Sequence, residues 1–239
     1  MIKYALVFII RARMDLMESR KCIKKERKRM KKKTVDAGSQ AEQSLEWEEI
    51  KTEHLVQDEW IDFRRSAFRF PDGTVFEPFY SYSRRDYVVI VATDEAGNAI
   101  CVRQYRQGIH EVTTEFPAGG IERRDGKEYA GPGRQGGEPS EDMEDTLEAA
   151  KRELREETGY ESAQWRFLLR VPANATIADN YAYLFEAKNC RKVSGQELDE
   201  TEFLNVQLHT PDEIEELIRT NRFQQGDHIL GWLLSRREG

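Results

Sequence analysis

The chain has 239 residues, 38% of them hydrophobic, and its formal net charge at pH 7 is −7. This size and composition suit one globular domain together with tails. The charge is uneven, because residues 1–35 hold 13 Lys and Arg against 3 Asp and Glu, while the rest holds 24 against 41. An acidic body argues against broad nucleic-acid binding by the folded domain.

The three cysteines, Cys22, Cys101 and Cys190, are few, odd in number and without the spacing of metal ligands. They are interpreted as reduced thiols, which favours a cytoplasmic location. No membrane span is predicted, because the apolar run Tyr4–Ile10 is far shorter than the roughly 20 residues that a spanning helix needs.

Residues 1–44 are predicted to form a basic, disordered tail outside the domain. The basic stretch Arg20–Lys33 follows the apolar run, whereas a secretory signal carries its charges first. Three interpretations stay open: a true start at a later methionine, a disordered basic arm, or a weak anchor to anionic lipid. The first two are preferred, and residues 1–35 are expected to be dispensable for folding and activity.

Residues 45–239 are predicted to form the domain, which begins with strands over 45–82. In that segment Pro71-Asp72-Gly73 marks a hairpin turn. The later strands are predicted over Tyr87–Ala92, Ala99–Arg103, Gln164–Val171, Tyr181–Ala187 and Glu202–Leu208.

Three helices are predicted, over 145–158, from Thr210 to about Arg219, and over about His228–Arg236. Thr210 is a strong helix start, because Pro follows it and Glu stands three residues after it. In the first helix, Asp145 with Glu148 suggests a capping box, and Gly159 suits a left-handed C-cap. Strands on either side of one helix, with further helices late in the chain, fit an α/β sandwich.

The first predicted helix places three carboxylates, those of Glu153, Glu156 and Glu157, on one face. Like charges at this spacing repel one another, and a hard cation such as Mg²⁺ or Mn²⁺ would neutralise them. A separate apolar stripe through Leu154 suits a core contact. The alternative is a solvated helix with a charged outer face, since Glu-rich helices are common.

Residues 144–160 resemble the Nudix box, G-x5-E-x7-R-E-U-x-E-E-x-G-U, in which U is a bulky apolar residue. The residues that stand at the family's spacing are Glu144, Arg152, Glu153, Leu154, Glu156, Glu157 and Gly159. The sequence departs from the pattern twice. Tyr160 holds the last apolar position, and Glu138 stands where the first glycine is expected.

That glycine is interpreted as displaced. The stretch Glu115-Phe116-Pro117-Ala118-Gly119 looks like the E-x-P-A-G segment that leads into the box in the ADP-ribose pyrophosphatase branch of the family. Gly119 would then be the first glycine of the box, and residues 121–143 would form an inserted loop rich in Gly, Pro and charge. Long loops cost little stability, because closure entropy grows only logarithmically with length.

The resemblance implies hydrolysis of the pyrophosphate of a nucleoside diphosphate linked to a group X, with Mg²⁺ or Mn²⁺ as cofactor. By the same resemblance Glu153 and Glu157 are metal ligands, with the backbone carbonyl of Ala118. Glu156 would bind metal directly or through water. Arg152 would orient the glutamates, and Glu144 would hold Arg152.

A second acidic cluster, around Glu200 and Glu202, is either a solvated loop or the branch's acidic loop. The resemblance makes Glu200 the candidate general base and Glu202 a further metal ligand, and the sequence leaves open which of the two is the base. One of Arg103 and Arg106 is expected to reach the diphosphate, and the other to pair with Glu115.

The resemblance also implies an α/β/α sandwich and a homodimer built partly from the strands of 45–82. The most favoured substrate is a nucleotide sugar such as ADP-ribose. However, the Pro-Gly pair usual in that branch is absent after Pro172, which leaves other nucleotide sugars and dinucleotides open. The competing hypothesis is a non-catalytic Nudix-like sensor, which would be expected to lose box glutamates that this chain retains.

Overall fold

The computed structural model describes residues 44–58, 60–124, 143–199 and 202–237. From Glu46 onward the described residues belong to one compact unit. The predicted basic tail, apart from its last residue, lies outside the described part of the chain.

The N-terminal strands form a separate antiparallel sheet, called the outer sheet below. Its strands are β1 (Glu48–Gln57), β2 (Asp62–Arg69) and β3 (Val75–Ser83), in that order. The predicted hairpin turn joins β2 to β3, and Gly73 adopts a φ of 83° there. A residue with a side chain would be strained in that conformation, which accounts for glycine at the turn.

A second, mixed sheet forms the centre of the domain. Its strands are β4 (Tyr87–Asp94), β5 (Ala99–Arg106), β6 (Glu111–Glu115), β7 (Ala118–Gly120), β8 (Tyr160–Glu161), β9 (Gln164–Pro172), β10 (Tyr181–Lys192) and β11 (Leu204–His209). The main path of the sheet runs β11-β5-β4-β10-β8. Strands β6, β7 and β9 pair with β5, β4 and β10. Strands β4 and β10 are parallel, and the other pairings in this sheet are antiparallel.

Helices cover both faces of the central sheet. They are α1 (Thr146–Thr158), α2 (Pro211–Arg219) and α3 (Gly226–Ser235). Alternate residues of β4 point to opposite faces, so Ile90 packs with Leu154 of α1, whereas Val91 packs with Trp232 of α3. This arrangement is the predicted α/β sandwich.

The ends of α1 follow the predicted capping chemistry with one difference. The Asp145 side chain accepts from the backbone N–H groups of Leu147 and Glu148, but the Glu148 carboxylate pairs with Lys151 at 2.7 Å. Gly159 has a φ of 72°, as a left-handed C-cap requires. At the start of α2, Thr210 forms the complete predicted capping box.

The ends of the predicted insertion meet. Arg123 pairs with Met143 in a β-bridge, Arg124 Nε donates to Met143 O at 2.8 Å, and Glu144 N donates to Glu122 O at 2.8 Å. The described residues on either side of the predicted insertion therefore lie next to each other. Residues 125–142, the interior of the insertion, lie outside the described residues.

Within the described ranges, no helix combines the length and apolar character needed to cross a bilayer.

Candidate active site

The box helix α1 turns two of its three clustered carboxylates inward. Glu153 and Glu157 are only 7% and 3% exposed, whereas the Glu156 side chain is 36% exposed. Leu154, on an adjacent face of the same helix, is fully buried in the core. The same helix thus carries a core anchor and a buried acidic pair, as the spacing predicts.

The Glu115–Gly119 segment runs directly alongside α1. The backbone N–H of Ala118 donates to Glu157 Oε2 at 3.0 Å. Ala118 is held from its other side by pairing with Val89 of β4. A backbone group and a buried carboxylate are therefore fixed next to each other by the central sheet and the box helix.

Gly119 allows the closest approach in the site. A Cβ atom built at Gly119 would lie 2.1 Å from Cδ of Glu153, which is far inside van der Waals contact. Any side chain at this position would displace the carboxylate or the strand. This contact gives a physical reason for a glycine before the insertion.

Arg152 links the acidic groups of the box. Its Nη1 donates to Glu153 Oε1 at 2.8 Å and to Glu156 Oε2 at 2.9 Å. Its Nη2 donates to Glu144 Oε2 at 3.1 Å and to Gly120 O at 3.0 Å. Each acceptor is oriented by a charge-assisted hydrogen bond, which is the geometry that the resemblance implied for Arg152 and Glu144.

Burial makes the acidic pair difficult to ionise. It raises the pKa of Glu153 to about 7, with the Arg152 cation opposing and Glu156 and Glu202 adding repulsion. Burial, followed by repulsion from Glu153, raises the pKa of Glu157 well above its ordinary value. A cation placed between these groups would favour their charged forms.

In the part of the chain that the structure describes, no three Asp, Glu, His or Cys side chains already surround one metal-sized position. The donor set is nevertheless suited to a hard cation, because it consists of carboxylate and carbonyl oxygens. Arg152 already holds Glu153 and Glu156, so these two carboxylates are oriented before any cation binds.

The acidic loop after β10 is attached to the C-terminal end of α1. Gln196 Nε2 donates to Glu157 O at 2.8 Å, and Glu197 N donates to Glu156 O at 2.8 Å. These bonds satisfy helix carbonyls that have no partner within α1. Glu202 follows in this loop and raises the pKa of both buried glutamates, while Glu200 lies outside the described residues.

The two arginines of β5 lie on opposite faces of the strand. Arg106 makes a two-bond contact with Glu115, from Nε to Oε1 and from Nη2 to Oε2, each at 2.9 Å. Its charge also lowers the pKa of Glu157. Arg103 instead lines a cavity of about 300 Å³ together with His209 and Arg222. The structure therefore brings Arg106 and Glu115 to the box and leaves Arg103 away from it.

A sequence model of the NUDIX domain matches residues 83–230, more than half of the chain. The chain belongs to the NUDIX domain family. It retains all three box glutamates and is a Nudix hydrolase.

Three relatives, two of them ADP-ribose pyrophosphatases, match 64% to 76% of this chain, which is therefore a Nudix hydrolase of the ADP-ribose pyrophosphatase-like type. The methanol dehydrogenase activator of Bacillus methanolicus is 26% identical over 188 residues, 76% of this chain and 88% of that protein. The ADP-ribose pyrophosphatase of Bacillus subtilis (strain 168) is 26% identical over 178 residues, 74% and 85% of the two chains. The ADP-ribose pyrophosphatase of Mycobacterium tuberculosis (strain ATCC 25618 / H37Rv) is 30% identical over 157 residues, 64% of each chain.

The solved structure of an ADP compounds hydrolase superposes on this Nudix hydrolase with a TM-score of 0.65. The two chains are 19% identical, and the match covers 81% of this chain and 94% of the other. At this identity the likeness shows the shared fold, which confirms the predicted fold class.

Sequence reasoning missed three polar residues behind the Nudix box. Tyr87 Oη donates to Asp227 Oδ2 at 2.5 Å, and Phe116 N donates to His228 Nδ1 at 3.1 Å. The only available signal was the adjacent Asp-His pair at the start of a predicted amphipathic helix. Their partners lie more than 100 residues away in the sequence, so no local pattern could reveal the contacts.

Proposed function

We propose that the chain hydrolyses the pyrophosphate bond of a nucleoside diphosphate linked to X, with a nucleotide sugar such as ADP-ribose as the favoured substrate. The observation that carries this proposal is the buried pair Glu153 and Glu157 beside the Ala118–Gly119 backbone. The two relatives that are ADP-ribose pyrophosphatases support the substrate class.

In this proposal Glu153, Glu157 and the carbonyl of Ala118 hold Mg²⁺ or Mn²⁺, and Glu156 binds directly or through water. When bound, the cation neutralises phosphate oxygens and polarises phosphorus. Arg152 keeps Glu153 and Glu156 oriented towards the site, and burial limits competing water at Glu153 and Glu157.

The acidic loop supplies the general base in this proposal. Glu202 and Glu200 are the two candidates, and Glu202 is also a candidate metal ligand. The attachment of Gln196 and Glu197 to α1 supports the placement of this loop at the site. Single Glu→Gln changes at the two positions separate the roles, because loss of the base lowers kcat while metal affinity is kept.

Arg106 is the substrate-side arginine in this proposal. Its side chain is 34% exposed, it is oriented by buried Glu115, and its charge acts on Glu157. A guanidinium held by one carboxylate keeps further N–H groups for phosphate oxygens. Arg103, the other candidate for this role, lines a separate cavity with His209 and Arg222, which favours Arg106.

We also propose that residues 45–82 form a homodimer interface. Trp47, Phe70, Phe76 and Phe79 form an aromatic cluster on the outer sheet, with ring centroids of Trp47 and Phe70 4.5 Å apart. Trp47 and Phe76 are nevertheless 51% and 48% exposed. This is more exposed aromatic surface than a sheet that faces only solvent usually carries.

The experiment that tests the proposed function is a panel of nucleotide sugars and dinucleotides incubated with Mg²⁺ or Mn²⁺. Released products are treated with a phosphatase and inorganic phosphate is measured. The expected result is metal-dependent turnover with ADP-ribose among the best substrates. Full turnover after exhaustive chelation would contradict the metal requirement, and turnover of no member would contradict the substrate class.

A second candidate function is regulation of another enzyme through a bound nucleotide. The observation in its favour is the 26% identity to a methanol dehydrogenase activator over 88% of that protein. The complete set of box glutamates favours hydrolysis instead. Tight nucleotide-sugar binding by calorimetry without any turnover would favour the regulator.

A further inference from the structure

Residues of α3 pack against and hydrogen-bond to the turn that leads into β7. In this turn, Glu115–Ala118, the side chain of Phe116 belongs to the core cluster on the α3 side of the central sheet. The phenyl ring of Phe116 packs against Phe223 and Trp232, with centroid distances of 5.1 and 5.9 Å. The side chain of Phe116 is therefore enclosed by the C-terminal part of the chain.

The backbone of the same residue is held by His228. Phe116 N donates to His228 Nδ1 at 3.1 Å, and both residues are buried. The bond requires an unprotonated Nδ1, and complete burial lowers the pKa of His228, which keeps the ring neutral. Without this acceptor, a buried N–H group would be left unsatisfied, which is costly.

A second contact comes from the neighbouring residue of α3. Tyr87 Oη donates to Asp227 Oδ2 at 2.5 Å. Tyr87 begins β4 and lies opposite Gly120 of β7. Consecutive residues of α3 thus hold the turn before β7 and the strand that pairs with β7.

The held turn leads straight to the box. Ala118 is two residues beyond Phe116, and its N–H is bonded to Glu157. Pro117 O accepts from Ile90 N at 2.9 Å, which leaves little freedom between the two anchored points. A shift of Phe116 would therefore move Ala118 relative to Glu157.

We propose that His228, assisted by Asp227, is a positioning residue. It fixes the Glu115–Ala118 turn so that Ala118 and Glu157 can bind the same cation. This inference rests on the proposed function, because it presupposes that these two residues hold the metal. His228 touches neither substrate nor metal in this arrangement. It acts through the backbone of Phe116.

The test is Mn²⁺ affinity, measured by electron paramagnetic resonance on the full chain, together with thermal unfolding. Loss of an outer contact around metal ligands typically weakens binding about 10- to 100-fold, so His228→Leu is expected to weaken Mn²⁺ binding by at least about tenfold. His228→Asn should largely restore affinity, because its Oδ1 can accept near the position of Nδ1.

Leu230→Ala is the matched control, since Leu230 packs in the same core cluster from α3. It should lower the melting temperature without changing Mn²⁺ affinity. Tyr87→Phe removes the second contact without opening a cavity, and it should weaken Mn²⁺ binding even if His228→Leu does not fold.

Three outcomes would overturn the positioning role of His228. If His228→Leu folds and binds Mn²⁺ with wild-type affinity, the positioning role is overturned and the proposed metal site is kept. If His228→Leu does not fold, wild-type Mn²⁺ affinity in Tyr87→Phe has the same meaning. An equal loss in Leu230→Ala would also overturn it, because general destabilisation would then explain the effect. Absence of Mn²⁺ binding by the wild-type chain would instead overturn the proposed metal site and this inference with it.

Discussion

The box helix and the outer sheet differ in how their side chains are used within the chain. At the box, the buried carboxylates have partners in Arg152 and the Ala118 N–H. On the outer sheet, Trp47 and Phe76 pack on their neighbours and still expose about half of their surface. The first region is organised inwards, and the second presents apolar surface outwards.

The difference follows from the free energy needed to bury an unpaired charge and to expose an aromatic side chain. A buried charge without a partner is strongly unfavourable, so an acidic site must be organised within the fold that carries it. Exposed aromatic surface costs much less and is common where another chain binds. In the proposed function, the residues that would hold the cation are oriented by contacts within one chain, and the outer sheet is the proposed interface with a second chain.

The largest expected effect is that of Glu157→Gln, which tests the buried carboxylates of the box helix. The variant should lower kcat by roughly 100-fold or more, about the cost of removing a key electrostatic group, because it removes a proposed metal ligand. Folding should be unchanged, since Glu157 is already driven towards its neutral form by burial. Steady-state kinetics and circular dichroism measure the two effects.

The control for that change is Glu148→Gln on the same helix, where the side chain is 62% exposed and pairs only at the surface. It should retain wild-type kcat. An unfolded Glu157→Gln variant would mean that the glutamate serves the fold, and an active one would mean that the metal site lies elsewhere.

Gly119→Ala tests the close approach of β7 to α1. Its new Cβ would fall 2.1 Å from Cδ of Glu153, so kcat/KM should drop about 10- to 100-fold as the carboxylate is displaced. Gly120→Ala is the matched neighbour, because its Cβ would meet only the Arg85 side chain at 3.5 Å. Equal activities of the two variants would show that the glycine contact is not required.

The proposed interface on the outer sheet is tested by Phe76→Glu. The wild-type chain should sediment at about twice its mass of 27.9 kDa. A buried, unpaired charge at Phe76 should raise the dimer dissociation constant at least about tenfold and reduce activity with it. Val75→Glu is the control, since this 51%-exposed neighbour points to the other face of the sheet. A fully active wild-type monomer at micromolar concentration would contradict the interface.

The smallest expected effect is a pH-dependent gain in melting temperature on adding Mg²⁺. In metal-free protein the pKa of Glu153 is raised from 4.5 to about 7, so its contribution to stability is present below pH 4.5 and is lost as pH rises through 7. Metal binding needs the ionised form. The Mg²⁺ increment should therefore be larger at pH 8 than at pH 6 by a few degrees. Equal increments at both values would argue against Glu153 as a ligand.

Much of the fold was predictable because its signals are local. The caps Asp145 and Gly159 and the Thr210 capping box each depend on residues within a few positions of one another. The acidic face of α1 follows from helical periodicity alone. These features predicted the box helix and the helix that begins after Thr210 to within one residue at each end.

The remainder depends on contacts that sequence patterns do not record. Strand β7 is only the three residues Ala118–Gly120 and forms by pairing with β4. The separation of Arg103 from Arg106 follows from strand alternation only once β5 is known to extend to Arg106. The bond from Phe116 to His228 joins residues 112 positions apart, and no local signal marks it.

The pairing of the two ends of the predicted insertion bears on how enzymes of this type are recognised. Because Glu122 and Glu144 are joined by a backbone hydrogen bond, the chain distance from Gly119 to α1 can lengthen while the spatial distance stays short. A search that requires a glycine six residues before Glu144 would reject this protein, because Glu138 stands there. One that measures whether a glycine faces the buried carboxylate would accept it, whatever length of chain evolution has placed between them.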